Sequence, residues 1–202
     1  MSFLKTSTSF TRFRITDPVS PAIWGEVVER LRKNSFVDID ELPEERSFGW
    51  VSFEDMLNLM FNEHPVEKGH FLAFTLRLDT RRVPPAVTKK HLAMALKKEE
   101  ALSREQGRKF VSRERKKELK ELVELQLRKR FLPIPAEFQC VWNTASGMVY
   151  FASTQQKMLD LFQELFVRTF ELHLEPYTPY EAAAQILGNT ALLDTLEPTY
   201  FA

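Results

Sequence analysis

A helix-forming stretch between two strand-rich parts of the chain decides the fold. Residues 85–133 read PAVTKKHLAMALKKEEALSREQGRKFVSRERKKELKELVELQLRKRFLP. Apolar residues recur at helical spacing in two runs, which predicts helices over about 86–104 and 113–131. Ser112 is the predicted N-cap of the second helix, and Gly107 is a predicted break after the first. We therefore predict a helical hairpin over 85–133, called the arm below.

The arm also carries the charge asymmetry of the chain. The whole sequence has 28 Lys/Arg and 28 Asp/Glu, so its formal net charge is zero. Residues 89–130 hold 15 Lys/Arg and 7 Asp/Glu, which is +8, and the rest of the chain is therefore −8. A cationic element on an acidic body is typical of a protein that holds a polyanion with one part of its surface.

No motif that reads bases accompanies these cations, since zinc-finger spacing, an aromatic RNP pattern and a helix-turn-helix signature are all missing from the sequence. We therefore predict DNA binding through phosphates, with little sequence preference and a steep salt dependence. Phe110 and Phe131, the aromatic residues of the arm, are predicted self-association contacts. The predicted DNA-binding residues are Lys89, Lys90, Lys97, Arg104, Arg108, Lys109, Arg113, Arg115, Lys116, Lys117, Lys120, Arg128, Lys129 and Arg130.

The same pattern has a second interpretation. Charged surface helices are common, and a solvated arm can serve solubility or a protein partner alone. A protein-interaction or self-assembly module without nucleic acid is therefore an alternative function.

Strand patterns flank the arm on both sides. Alternating apolar residues predict a strand over Gly69–Asp79 before the arm, and a turn at Gly147 predicts a hairpin after it. Hairpins between neighbouring strands favour an α+β fold with two small, mostly antiparallel units. The predicted organisation is a βαββ(α)β unit over 1–84, the arm over 85–133, and a ββαβα unit with a tail over 134–202.

Few residues outside the arm suggest chemistry. Asp38 and Asp40 share one face of a strand predicted over Phe36–Asp40, where two carboxylates could hold Mg²⁺ for phosphodiester hydrolysis. The alternative is an acidic strand edge. The histidines have no metal-ligand spacing. We predict no enzyme, catalytic residue, metal, cofactor or small-molecule substrate, and keep a Mg²⁺-dependent nuclease as a less favoured alternative.

The compartment is predicted from cysteine and from apolar runs. Cys140 is the single cysteine and lies in an apolar stretch, which favours a buried, reduced thiol. No signal-peptide core or membrane-spanning run occurs. We expect a cytoplasmic, nucleoid-associated protein with no membrane contact.

Several blocks of the sequence can be compared with a known family. They are Phe48-Gly-Trp-Val51, the helix pair from Val87 to Phe131, the strand Phe138–Trp142, the hairpin Trp142-Asn-Thr-Ala-Ser-Gly-Met-Val149 and the helix from about Thr154. Together these blocks resemble the N-terminal two-thirds of the RdgC family of bacterial recombination-associated proteins. Their order and spacing resemble the family over roughly residues 10–185.

The resemblance implies a DNA-binding protein that forms a ring-shaped homodimer around duplex DNA and restrains recombination. It places Phe131, after Leu127-Arg-Lys-Arg, where the family has an aromatic residue that contributes to ring closure. The chain stops soon after Gly188, so we expect it to lack the further ring contacts of longer relatives.

Overall fold

The structure is a computed structural model that describes residues 3, 5–105, 110–188, 190–191 and 193–196. In these residues it contains strands, α-helices and one short 3₁₀ turn, Leu193–Thr195. The strands are β1 (Thr11–Ile15), β2 (Arg46–Ser52), β3 (Glu67–Lys68), β4 (Phe71–Thr80), β5 (Ile134–Asn143), β6 (Met148–Phe151) and β7 (Leu174–Pro176). The helices are α1 (Ala22–Lys33), α2 (Pro85–Glu105), α3 (Arg113–Arg128), α4 (Gln156–Phe170) and α5 (Pro179–Leu187).

The strands form one sheet, which confirms the predicted α+β class. Their order is β2-β4-β5-β6-β1-β7, and β3 pairs with β4. β1 lies antiparallel between β6 and β7, with Phe13 opposite Val149 and Ile15 opposite Leu174. β5 and β6 form the predicted hairpin, and Gly147 in its turn has φ +68°, a conformation that glycine adopts without a Cβ clash.

The chain packs as two compact units. Unit 1 comprises Met1–Ser35, Trp50–Leu76 and Glu137–Ala202, and unit 2 comprises Phe36–Gly49 and Arg77–Ala136. Unit 1 thus draws on both predicted flanking segments, and unit 2 contains the whole arm. The predicted division into three consecutive segments stays a prediction.

Aromatic side chains fill the core of unit 1. Phe162 of α4 stacks on Phe151 of β6, with ring centroids 4.0 Å apart. One turn further along α4, Phe166 packs edge-on to Trp142 of β5 at 5.6 Å, and Phe170 lies 5.4 Å from the same indole. All five rings are buried. The helical period of α4 and the two-residue period of the strands therefore meet in one apolar layer.

The prediction of a strand over Phe36–Asp40 is wrong. This segment of unit 2 is a loop, and buried Arg81 holds the loop from the end of β4. Its guanidinium donates hydrogen bonds to four backbone carbonyls, including those of Ile39 at 2.7 Å and Glu44 at 3.1 Å. Because carbonyls of the segment are bonded to a side chain, they are not available to a strand partner.

Candidate nucleic-acid interface

The two predicted arm helices are confirmed as α2 and α3. α2 begins at Pro85, whose fixed φ and missing N–H suit the first helical position. α3 has the predicted N-cap, because the Ser112 hydroxyl accepts a hydrogen bond from the backbone N–H of Arg115 at 3.1 Å. The predicted break at Gly107 lies outside the described residues.

Packing leaves most of the arm surface in solvent. None of the described side chains of α2 is buried, whereas α3 buries Val123 and Leu127. These two residues are four apart and lie on one face of α3. The charged residues of the arm are thus free to face solvent, which is the first requirement for a contact with DNA phosphates.

Arg115 holds the two helices together. Its guanidinium donates to both carboxylate oxygens of Glu99 on α2, at 2.8 and 3.3 Å, and to Glu118 on α3 at 2.9 Å. The hydrogen bonds that Arg115 donates to Glu99 and, second, to Glu118 raise the pKa of Arg115, and the bond from Arg115 lowers the pKa of Glu99. A phosphate at Arg115 would have to compete with both carboxylates.

Three other predicted DNA-binding residues have acidic partners. Lys117 lies 3.9 Å from Glu121, and Lys120 lies 3.8 Å from Glu124, both one turn along α3. These are long contacts between exposed groups, with the lysine N-terminal to the glutamate, which is the weaker orientation on a helix. Arg128 pairs with Glu45. Arg115 and Arg128 therefore form close ion pairs with glutamates, whereas Lys117 and Lys120 form only long, weak ion pairs.

The remaining described cations of residues 89–130 are exposed and have no carboxylate within ion-pair distance in the described part of the chain. Eight of them belong to the predicted set, and Lys98 is an addition. The predicted residues Arg108 and Lys109 lie outside the described residues. The exposed, unpaired cations are Lys89, Lys90, Lys97, Lys98, Arg104, Arg113, Lys116, Lys129 and Arg130.

Three of these cations form a stripe on α2. Lys90, Lys97 and Arg104 are seven residues apart, which is close to two helical turns, so their side chains lie on one face. At 1.5 Å per residue the stripe is about 21 Å long. The stripe is thus long enough to contact several phosphates along one groove edge.

Four cations and one aromatic ring gather where α2 ends and α3 begins. A depression of about 210 Å³ is lined by Arg104 of α2, Lys116 of α3 and Phe110, among others. A second depression is lined by Arg113 and Lys117. Phe110 is 86% exposed. We call Arg104, Phe110, Arg113, Lys116 and Lys117 the arm tip.

Two other predicted cations lie at the opposite end of α3. Lys129 and Arg130 follow its last turn, about 25 Å along the helix axis from Arg113. Phe131 is half-buried there. The fourteen predicted residues therefore do not form one patch. The structure brings some together at the arm tip and others at the end of α3.

The sequence analysis did not select Arg82, which lies just before the arm. Arg82 is exposed and lines a cavity of about 610 Å³ with Arg128, Thr88 and Glu45. The signal was the Arg81-Arg82 pair directly before Val83-Pro84-Pro85. One of these arginines turned inward to hold the loop, so the two adjacent residues have different roles.

The two carboxylates considered for Mg²⁺ do not share a strand face, because Phe36–Asp40 is a loop. Asp38 accepts a hydrogen bond from the backbone N–H of Asp40 at 2.7 Å. Hydrogen bonds that Arg77 donates to Asp79, and more weakly the charges of Asp38 and Asp40, raise the pKa of Arg77. The described residues contain no group of three or more His, Cys, Asp or Glu able to hold a metal ion.

The single thiol is confirmed as a buried side chain. Cys140 in β5 is 0% exposed, and burial raises its pKa well above the usual range. A neutral, inaccessible thiol is a poor nucleophile.

Among the described residues, no helix combines the length and apolar character that a membrane span requires.

Comparison with known protein families finds a similarity over most of this chain. A family model described as "Putative exonuclease, RdgC" matches residues 8–195. The matched range begins before β1 and ends with the 3₁₀ turn, so it includes the arm and both flanking parts. A comparison with curated proteins finds no match.

Proposed function

The chain belongs to the RdgC family, whose members are recombination-associated, and on this premise we propose that it binds DNA with little sequence preference through the arm. The supporting observation is the arm tip together with the α2 stripe. These cations are exposed, and most of them have no acidic partner among the described residues. Side chains of this kind recognise phosphate charge and carry no base-reading geometry.

The division of labour within the arm follows from the ion pairs. Arg115 joins α2 to α3, and Arg128 joins α3 to Glu45 outside the arm, because each pairs with a carboxylate. The phosphate contacts come from the stripe, the arm tip and the end of α3. Repulsion from the acidic remainder of the chain directs DNA to these surfaces.

We also propose that the protein self-associates through the arm aromatics. Phe110 is almost fully exposed, and an isolated ring at the end of a charged hairpin is typical of a subunit contact. Phe131 is half-buried and contributes less free surface. A homodimer with two arms would double the phosphate contacts. We propose that the protein is located in the cytoplasm, in association with the nucleoid.

The description of the family model names an exonuclease, and this makes nuclease activity the second candidate. Our proposal is that the chain has no catalytic centre at Asp38 and Asp40, because these residues lie in a loop close to the charge of Arg77. Incubation of end-labelled duplex with Mg²⁺ tests this. Cleavage that is lost in Asp38→Asn would overturn it.

A salt series tests DNA binding. We expect fluorescence anisotropy to show binding of two duplexes of unrelated sequence with equal affinity. If about six phosphates are contacted, the logarithm of the binding constant should fall against the logarithm of salt with a slope of about −5. Absence of binding even at low salt would instead support the protein-interaction module. Light scattering on the same samples measures the dimer.

A further inference from the structure

The sheet of unit 1 carries aromatic and arginine side chains on the surface that faces away from its core. In β1, Phe13 and Ile15 are buried and the alternate residues Arg12 and Arg14 are exposed. Tyr150 of β6 is directly opposite Arg12 in the strand register, so the two side chains share this outer surface. The outer surface is therefore not a second apolar layer.

Four rings and one guanidinium form a continuous row on this surface. Phe3 and Phe10 have ring centroids 5.9 Å apart, and Phe10 and Tyr150 are also 5.9 Å apart. Next to Tyr150, the Arg12 guanidinium lies 5.8 Å from the centre of the Tyr177 ring. We call Phe3, Phe10, Tyr150, Arg12 and Tyr177 the aromatic row.

The row is accessible. Phe10 is 44% exposed, Arg12 is exposed, and Tyr150 and Tyr177 are half-buried. Within the described part of the chain, Arg12 has no carboxylate within ion-pair distance, and its guanidinium contacts the Tyr177 ring. Arg14 is less available, because it lies opposite Glu175 of β7. The row thus offers exposed ring surface, and although the Arg12 guanidinium lies over the Tyr177 ring, no carboxylate of the described residues accepts its N–H groups.

We propose that the aromatic row binds single-stranded nucleic acid. Rings on a sheet surface stack with unpaired bases, and a guanidinium between them binds the phosphate that links those bases. In a duplex the bases already stack on one another, so such rings can reach only its backbone. This single-strand site lies in unit 1 and is separate from the arm, which contacts phosphates of either form of DNA.

Charge and geometry favour this occupant over a protein or a membrane. Arg12 gives the row a cation that no carboxylate of the described residues neutralises. Consecutive rings about 6 Å apart, with an arginine in the series, match the alternation of bases and phosphates in a strand. A second copy of this surface would instead bring Arg12 side chains into repulsive proximity.

The test compares a labelled oligo-dT strand with a mixed-sequence duplex in anisotropy titrations of the full chain. Tyr150→Leu removes the π-face and keeps an apolar side chain, so we expect about tenfold weaker binding of oligo-dT and unchanged binding of duplex. Tyr150→Phe should bind as the parent protein does. The matched control is Tyr180→Ala, which removes an exposed ring of α5 outside the row and should change neither affinity.

The outcomes separate this inference from the arm proposal. Phe10→Ala should also weaken oligo-dT alone, and circular dichroism melts report whether each variant is folded. Three results would each overturn the proposal that the aromatic row binds single strands. They are an equal loss of affinity for oligo-dT and duplex, no loss of affinity in the folded variants, and no binding of oligo-dT by the parent protein. A switch from dimer to monomer in Tyr150→Leu would overturn it in favour of a subunit contact. If the arm does not bind DNA, the row variants should still bind oligo-dT more weakly than the parent protein does.

Discussion

Reversing three charges at the arm tip should change both the affinity for duplex DNA and its salt dependence. The variant is Arg113→Glu, Lys116→Glu and Lys117→Glu, all in the first turns of α3. Glutamate near a helix N-terminus interacts favourably with the helix dipole, so α3 should remain folded. Lys117→Glu removes only a 3.9 Å contact to Glu121. Loss of DNA binding would therefore report lost phosphate contacts rather than a lost helix.

The expected magnitude follows from counting contacts. The stripe and the arm tip together offer six cations, Lys90, Lys97, Arg104, Arg113, Lys116 and Lys117. At about 0.9 per phosphate, six contacts give a salt slope of about −5, and three give about −3. Between about 50 and 200 mM salt, the parent protein should lose about 2,000-fold in affinity and the variant only about 40-fold. At about 50 mM the variant should bind roughly 10³-fold more weakly.

The assay is anisotropy of a labelled duplex at four salt concentrations. The control variant makes the same change in net charge on α1, β2 and α4, with Lys33→Glu, Arg46→Glu and Lys157→Glu. It should keep the parental slope, because these residues lie outside the arm. A parental slope and affinity in the arm-tip variant, or an equal loss in the control, would refute the assignment of phosphate contacts to the arm tip.

Three further predictions concern the fold. Phe162→Ala removes the ring that stacks on Phe151 at 4.0 Å, and should cost about 3–5 kcal/mol in urea unfolding; a cost below about 1 kcal/mol would contradict the packing. Cys140 should react with a thiol reagent only upon unfolding, because it is 0% exposed and burial raises its pKa; rapid reaction of the folded protein would show otherwise. The backbone and ring of His173 lower the pKa of Asp17, so this carboxylate stabilises the fold above its unfolded pKa of about 3.9 and ceases to as pH falls through the folded value. Asp17→Asn should therefore melt at a lower temperature near neutral pH, and the difference should shrink as pH falls and vanish once Asp17 is protonated in the folded protein; a pH-independent difference would contradict this.

Elements with strong local periodicity were predictable from the sequence. Both arm helices, the Ser112 cap and the β5–β6 hairpin depend on residues within a few positions of each other. The strand over Phe36–Asp40 was predicted wrongly because the decisive interaction is with Arg81, from the far end of β4. The alternation of apolar and polar residues in a segment gives no information about a distant side chain that donates hydrogen bonds to the carbonyls of that segment.

In the candidate site, too, local features were predictable from the sequence and contacts between remote residues were not. The concentration of charge in the arm was visible in the sequence, and so were the helix faces. The pairing of Arg115 with Glu99 was not, because it joins residues of two different helices. The aromatic row was also hidden, since Phe10 and Tyr150 become neighbours only when β1 pairs with β6. The sequence therefore shows where the cations lie in the chain. Which of them have acidic or aromatic partners is known only from the folded structure.

The position of β1 between β6 and β7 has a consequence during synthesis. Thr11 pairs with Phe151, and Ile15 pairs with Leu174, so the first strand leaves the ribosome long before either partner exists. At about 5–20 residues per second this delay is roughly 7–27 s. Throughout that interval Phe13 and Ile15 have no strand partner from β6 or β7 and are open to contact with other nascent chains. The arginines that alternate with them act as gatekeepers against premature aggregation.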